Sequence, residues 1–143
     1  MTLEANKALV ARQFDEIWNH ASWDTAEELF APEYVNHDPY NPEQGTGPQG
    51  FRERVEGYRS VLHGFDLRIL HQVAEGDMVE THWSLAGSHG GPLERIAPTG
   101  KQLYVEGQLL SRIADGKFVE EWVNWDVLGL LREIGAVPTP QGR

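Results

Sequence analysis

The residues best suited to acid/base chemistry lie near the C-terminal end of the chain, on a predicted strand. The run from Lys117 to Asp126 is rich in β-branched and aromatic residues and follows an Asp-Gly pair, which predicts the second strand of a hairpin. Because side chains alternate along a strand, one face collects two carboxylates, an amide and an indole. The side chains of this face are Phe118, Glu120, Trp122, Asn124 and Asp126.

Two interpretations of this mixed face stay open. It could be a solvated surface with one exposed indole, or it could line a partly polar cavity. We favour the cavity, because an indole beside an amide and a carboxylate suits a pocket wall. The alternate face, which would be core or a subunit contact, carries Val119, Glu121, Val123 and Trp125.

Asp126 is the carboxylate that we predict to be catalytic. It ends the strand and follows Trp122 and Trp125, so that an apolar pocket there would desolvate it. Desolvation raises the pKa of a carboxylate. A general acid/base that acts on a carbon acid near neutral pH needs such a raised pKa.

His37 is the second catalytic candidate. It follows Tyr34 and precedes Asp38-Pro39, at the end of a predicted short strand and the start of a loop. Loop residues held on a rigid scaffold are common in functional sites. In the alternative interpretation, Asp38 caps a turn and His37 is merely half exposed.

Several other chemistries lack support in the sequence. There is no cysteine, which excludes disulfides, thiol catalysis and cysteine-bound metals. The six histidines include no H-E-x-x-H pair, and the chain has no P-loop or G-x-G-x-x-G motif. No G-x-S-x-G serine elbow is present either. We therefore predict neither a metal site nor a bound nucleotide.

Composition indicates one acidic globular domain that spans residues 1–143. Forty per cent of the residues are hydrophobic and the net charge is −10. Such a charge repels phosphate backbones and anionic lipids, so nucleic acid and membranes are poor partners. The N-terminal segment is charged and amphipathic rather than a signal peptide. We expect a cytoplasmic protein.

The periodicity of apolar residues changes near Gly64. Before it, three- and four-residue spacing predicts helices over residues 3–20, after Ser22 or Asp24, and over residues 49–62, with a short strand over residues 33–38. After it, four strands are predicted over residues 65–74, 78–87, 101–114 and 117–126, and a short helix over residues 128–134.

This order of elements predicts an α+β domain. A curved antiparallel sheet would wrap around three N-terminal helices to form a cone, because the apolar face of four long strands must be covered. The open mouth of such a cone is the default place for a ligand pocket.

The chain also resembles a known family along almost its whole length. The segments that carry the resemblance are NKALVARQFDEIWNHASWDTAEELFAPEYVNHDP, GPQGFRERV, AEGDMVETHWSLAGSHGG, IAPTGKQLYVEG and ADGKFVEEWVNWDVLGLLREIG. They are similar to the SnoaL-like polyketide cyclases, also called ester cyclases, within the nuclear-transport-factor-2-like superfamily.

This resemblance implies a cone-shaped, usually oligomeric protein with an enclosed pocket and no metal or organic cofactor. Cyclases of the family close a ring by intramolecular aldol chemistry, with an aspartate as general acid/base. The matching positions are Asp126 for that aspartate, His37 for a Tyr-x-x-His motif, and Glu120 and Trp122 for an E-x-W motif. Gln108 stands in a strand where many members carry a histidine.

We therefore predict a cofactor-independent enolising enzyme, a cyclase, isomerase or lyase, that acts on a small hydrophobic carbonyl or ester substrate. Asp126 would move the proton and His37 would orient the substrate or donate to the enolate. The predicted substrate-binding residues are Trp122, Glu120, Asn124, Gln108, Tyr34 and Trp18. The alternatives are a binding protein without turnover and a hydratase that acts on an epoxide.

A homodimer or larger homo-oligomer is also expected. If Trp83, Val123 and Trp125 lie on an outer sheet face, they would expose an apolar patch unless a second copy covers it.

Overall fold

The computed structural model describes residues 2–140. Four α-helices and five strands follow the chain, and a π-helical segment extends the first helix. The helices are α1 (Leu3–Arg12), α2 (Trp23–Leu29), α3 (Gly47–Val61) and α4 (Val127–Glu133), and the π-helical segment is Gln13–Trp18. The strands are β1 (Phe30–His37), β2 (Leu62–Glu75), β3 (Met78–His89), β4 (Gln102–Ala114) and β5 (Lys117–Trp125).

The first helix changes its winding midway. Thr2 caps α1 by accepting from the Ala5 amide, and the chain then widens to π-helical winding at Gln13. The expectation of one uniform helix over residues 3–20 is therefore wrong in this detail. Four π-segment side chains are buried together: Gln13, Phe14, Ile17 and Trp18. π-helical turns of this kind occur often at functional sites.

The five strands form one curved, unclosed sheet in the order β1-β5-β4-β3-β2. Neighbouring strands are antiparallel except β1, which pairs parallel to β5 at the sheet edge. Pro32 lies within β1, where an edge position tolerates its missing N–H. The predicted α+β class with a curved sheet and N-terminal helices is confirmed, and β2 and β3 are longer than predicted.

A β-bulge interrupts the alternation of β5. Arg112 pairs with Glu120, whereas the next residue of β4, Ile113, pairs with Phe118. Val119 is thus the extra residue, and both Phe118 and Val119 are buried. A bulge moves every later side chain to the opposite face. This shift decides which side chains of β5 reach the interior.

The core lies between the inner face of the sheet and the helices. Phe30, Phe51 and Phe118 form its centre, with the Phe30 and Phe51 rings stacked 3.9 Å apart. At the end of β5, Trp125 pairs with Gly107 of β4, and Tyr40 of the loop after β1 packs against the Trp125 ring. Within residues 2–140, none of the helices is long and apolar enough to cross a membrane.

Candidate functional site

A cavity lies between the sheet and the helices. Its walls are mainly aromatic and aliphatic, with few polar groups, which is typical of sites for small organic molecules. The polar and charged residues that line it are Gln13, Asn36, Tyr40, Arg54, Tyr58 and Glu121. Its indole walls are Trp18, Trp83 and Trp125.

Glu121 is the carboxylate on this cavity wall. It lies on β5, two residues after the bulge at Val119, and is only 1% exposed. Three side chains donate hydrogen bonds to it: Tyr34 to Oε1 at 2.8 Å, and Ser111 and Gln13 to Oε2 at 2.6 and 3.0 Å. A buried carboxylate with this support is fixed in position and orientation.

Burial governs the protonation of Glu121. Removal from water disfavours the charged form and raises the pKa of Glu121 above its ordinary value, although Ser111, Gln13 and Tyr34 oppose this by donating to the carboxylate. Burial and the neighbouring carboxylate likewise raise the pKa of the Tyr34 hydroxyl, so Tyr34 remains a donor. The arrangement gives the cavity a carboxyl group that can take up and return a proton.

The π-helical segment supplies one side of this site. Gln13 donates to Glu121, and its own Oε1 accepts from the indole Nε1 of Trp18 at 3.3 Å. The sequence contains a signal for this contact, because Gln13 stands three residues after Val10 and four before Ile17 and so shares their apolar helix face. It indicates a buried polar partner, because buried amides are almost always hydrogen-bonded.

A buried ion pair lies beside the cavity and includes Arg54 of its wall. Arg54 donates to Asp38 at 2.7 Å, and the Tyr58 hydroxyl donates to the same Asp38 oxygen at 2.7 Å. Although burial opposes the charge on Asp38, Arg54 and the donated hydrogen bonds hold its pKa below the usual value. Tyr40 meets Glu94 of the loop after β3 through a short hydrogen bond.

Of the predicted binding residues, the structure brings Trp18 and Tyr34 to the cavity region. Trp18 lines the cavity, and Tyr34 holds Glu121 from behind. Their predicted binding roles stay predictions.

The expectation that Asp126 opens into the cavity is wrong in its geometry. Its side chain is exposed and caps α4, where it accepts from the Gly129 amide at 2.9 Å. The bulge at Val119 is the physical reason, because it turns Glu121 rather than Glu120 or Asp126 inward. The catalytic role of Asp126 stays a prediction that this placement does not support.

His37, Glu120 and Trp122 form a separate cluster on the outer face of the sheet. His37 Nε2 lies 2.7 Å from Glu120, Arg112 donates to Glu120 at 3.2 Å, and the His37 ring stacks on Trp122. The hydrogen bonds from His37 and Arg112 lower the pKa of Glu120. None of these side chains lines the cavity, contrary to the expected geometry.

Asn124 and Gln108 lie directly opposite each other on β5 and β4, and both are exposed on the outer face. The same bulge turns Val123 and Trp125 inward, and Trp83 of β3 also faces the interior. These three residues line the cavity and are not an outer apolar patch. The predicted dimer therefore loses the argument given for it and stays a prediction.

No set of three or more histidine, aspartate or glutamate side chains within residues 2–140 is arranged to hold a metal ion. The polar groups of the cavity instead suit an organic molecule with oxygen atoms, because they offer donors from arginine, tyrosine and amide groups beside one carboxyl group.

Comparison with known proteins shows relatives along most of the chain. Residues 8–134 match the model of the SnoaL-like polyketide cyclase family. The aklanonic acid methyl ester cyclase DnrD of Streptomyces peucetius is 30% identical over 138 residues, which cover 93% of this chain and 94% of that protein. The aklanonic acid methyl ester cyclase DauD of Streptomyces sp. strain C5 is also 30% identical, over 93% of this chain and 84% of its own.

Solved structures show the same fold. TsrD from Streptomyces laurentii is 24% identical, with a TM-score of 0.85 over 96% of this chain and 99% of that chain. IdmH from Streptomyces antibioticus, described as a candidate polyketide cyclase, is 25% identical, with a TM-score of 0.78 over 91% of this chain and 98% of its own. On the match to the family model and these relatives, the chain belongs to the SnoaL-like polyketide cyclase family.

Proposed function

We propose that this protein is a cofactor-independent cyclase that enolises a carbonyl or ester substrate, with Glu121 as the general acid/base. One observation carries the proposal: the carboxyl group that lies on the cavity wall is Glu121, buried and held by three donors. The two aklanonic acid methyl ester cyclases support a polyketide ester as the substrate class.

The proposed reaction needs one proton acceptor that later becomes a donor. Glu121 removes a proton from a carbon between two carbonyl groups, and the resulting carbanion attacks a second carbonyl carbon of the same molecule. The new C–C bond leaves an alkoxide, which takes the proton back from Glu121. Substrate and product are isomers, so the ring closes without water or an external reductant.

The environment of Glu121 suits both halves of this cycle. A carboxyl group whose pKa is raised by burial binds a proton strongly enough to abstract it from an activated carbon. The donors Tyr34, Ser111 and Gln13 keep the carboxylate oriented when it is ionised. The apolar walls shield the enolate from water.

A turnover assay in water enriched in heavy oxygen separates this proposal from its rivals. The protein is incubated with aklanonic acid methyl ester, and the product is analysed by chromatography and mass spectrometry. A cyclised isomer of unchanged mass supports the proposal, whereas heavy oxygen in the product indicates a hydratase. Saturable binding without any product indicates a binding protein and contradicts the proposal.

The single domain, the cytoplasmic location and the homo-oligomeric state expected from the sequence remain part of this proposal. Size-exclusion chromatography with light scattering measures the oligomeric state directly.

A further inference from the structure

Arg54 is a buried cation on the wall of the cavity that contains Glu121. It lies on α3, is 8% exposed and lines the cavity. Its guanidinium carbon is 5.7 Å from the ring centre of Trp18 and 5.1 Å from that of Tyr58, so aromatic rings position the charge. Arginine keeps this charge at any physiological pH.

The protein uses only part of the hydrogen-bonding capacity of Arg54. Both hydrogen bonds that the structure gives it come from Nη1, to Asp38 at 2.7 Å and to Gln44 at 3.3 Å. Its Nε is buried and has no hydrogen-bond partner among the described residues. A buried donor without an acceptor is unfavourable, and an acceptor oxygen of a molecule bound in the cavity would satisfy it.

Asp38 accepts a hydrogen bond from only one nitrogen of the Arg54 guanidinium, Nη1. This carboxylate also accepts from the Tyr58 hydroxyl at 2.7 Å and from the Tyr40 amide at 3.0 Å. Asp38 thus fixes one edge of the guanidinium and balances its charge, and the Nε side of the group remains without a partner.

The other arginines of α3 have different surroundings. Arg52 pairs with Glu56 at 3.4 Å on the surface, and Arg59 donates to the backbone oxygens of Trp18 and Asn19. Arg54 alone among the three lines the cavity. Its place on the wall of the cavity that also contains Glu121 is therefore a property of this residue and not of a generally basic helix.

We propose that Arg54 binds the carbonyl oxygen of the substrate that becomes the enolate oxygen. This inference rests on the proposed function and adds to it the residue that binds the enolate oxygen of its 1,3-dicarbonyl or β-keto ester substrate. As Glu121 takes the proton from carbon, the C–H electron pair moves into the C–C bond and the carbonyl π pair moves to oxygen. Arg54 donates to that oxygen, and fixed donors aimed at developing charge stabilise a transition state.

Binding of a stable anion tests this role without turnover. The probes are para-nitrophenolate, which carries its charge on an oxygen as an enolate does, and nitrobenzene, a neutral molecule of similar shape. Dissociation constants are measured by calorimetry for the wild type, Arg54→Gln, Arg54→Lys and the surface control Arg52→Gln. Near-ultraviolet circular dichroism reports whether each variant is folded.

We expect Arg54→Gln to weaken para-nitrophenolate binding by about tenfold or more, because a charge-assisted hydrogen bond is lost. Nitrobenzene binding should change by less than about twofold, Arg54→Lys should be intermediate, and Arg52→Gln should match the wild type. If Arg54→Gln does not fold, the double variant Asp38→Asn with Arg54→Gln removes both charges of the pair and gives the same comparison.

Equal losses for both probes would overturn the proposal, since they would show a damaged cavity and not a lost anion contact. A wild type that binds neither probe, or that binds both with equal affinity, would overturn it too. Failure of the proposed function has a different signature. In that case Glu121→Gln would leave proton exchange on a β-keto ester unchanged, while the preference for para-nitrophenolate persisted.

Discussion

Glu120 and Glu121 are neighbours in sequence and lie in opposite environments. Glu121 faces the cavity, where burial raises its pKa, whereas Glu120 faces outward, where His37 and Arg112 lower its pKa. One side chain suits proton transfer and the other suits a surface ion pair. The two residues have the same side chain, so the face of the sheet on which each lies decides the chemistry available to its carboxylate.

Breaking a buried ion pair should lower the free energy of unfolding far more than breaking an ion pair on the surface. Asp38→Asn leaves Arg54 as a buried charge without its counter-charge, since neither side chain of the pair is more than 6% exposed. We expect a loss of about 3–5 kcal/mol in the free energy of unfolding.

The matched surface variant is Glu56→Gln, which breaks the Arg52–Glu56 pair on the same helix. Glu56→Gln should lower the free energy of unfolding by less than about 1 kcal/mol. Urea denaturation of both variants measures the difference. Equal effects would show that the Asp38–Arg54 pair is not desolvated as described.

Gly107 and Gly57 differ in the space around them in the same way. A methyl group at Gly107, on the inner face of β4, would clash with the Trp83 indole and lie 2.7 Å from Trp125 Cβ. We expect Gly107→Ala to cost about 1–3 kcal/mol through overpacking of the cavity wall.

Gly57 is the control, because it lies on the exposed face of α3 and a methyl group there meets nothing within 4 Å. Gly57→Ala should stabilise the protein by about 0.5–1 kcal/mol. Thermal unfolding followed by circular dichroism compares the two. If Gly107→Ala left the stability unchanged, the indoles would not pack against β4 as described.

The smallest effects are pH-dependent and opposite in sign. The folded-state pKa of Glu121 is raised, so its contribution to stability is present below its unfolded pKa and is lost as pH rises. The folded-state pKa of Glu120 is lowered, so its contribution is present above its unfolded pKa and is lost as pH falls.

Relative to the wild type, Glu121→Gln should therefore become more stable as pH rises from about 4 towards 8. Glu120→Gln should be less stable by at most about 1 kcal/mol near neutral pH, with the difference vanishing in acid. Urea denaturation over this range measures both. Parallel pH dependences of the two variants would contradict the assignment of faces.

The sequence carries most of the information about the fold. Helical spacing and the Gly76-Asp77 and Asp115-Gly116 turns predict the elements, because periodicity and turn chemistry are local. The resemblance to the SnoaL-like family identifies the architecture as a whole. These patterns did not predict the π-helical winding at Gln13, whose side chain contacts Glu121 at a distance of 108 residues along the chain.

The site is less predictable than the fold because one extra residue in β5, Val119, reverses the sheet face of every residue that follows it in the strand. Period-two alternation from Phe118 correctly buries Phe118 but then selects Glu120, Trp122 and Asp126 as its companions. The bulge at Val119 brings Glu121 inward instead. Bulges leave little trace in a single sequence, so the carboxylate on the cavity wall could only be found from the strand register.

Proton exchange reports whether Glu121 is the group that removes the substrate proton. Exchange of the acidic proton of a β-keto ester with deuterated water is followed by NMR for the wild type, Glu121→Gln, Glu120→Gln and Asp126→Asn. We expect Glu121→Gln to lower kcat for exchange by about 100-fold or more, and the two outer variants to stay within about threefold of the wild type. Loss of exchange in Asp126→Asn, with activity retained in Glu121→Gln, would contradict the account.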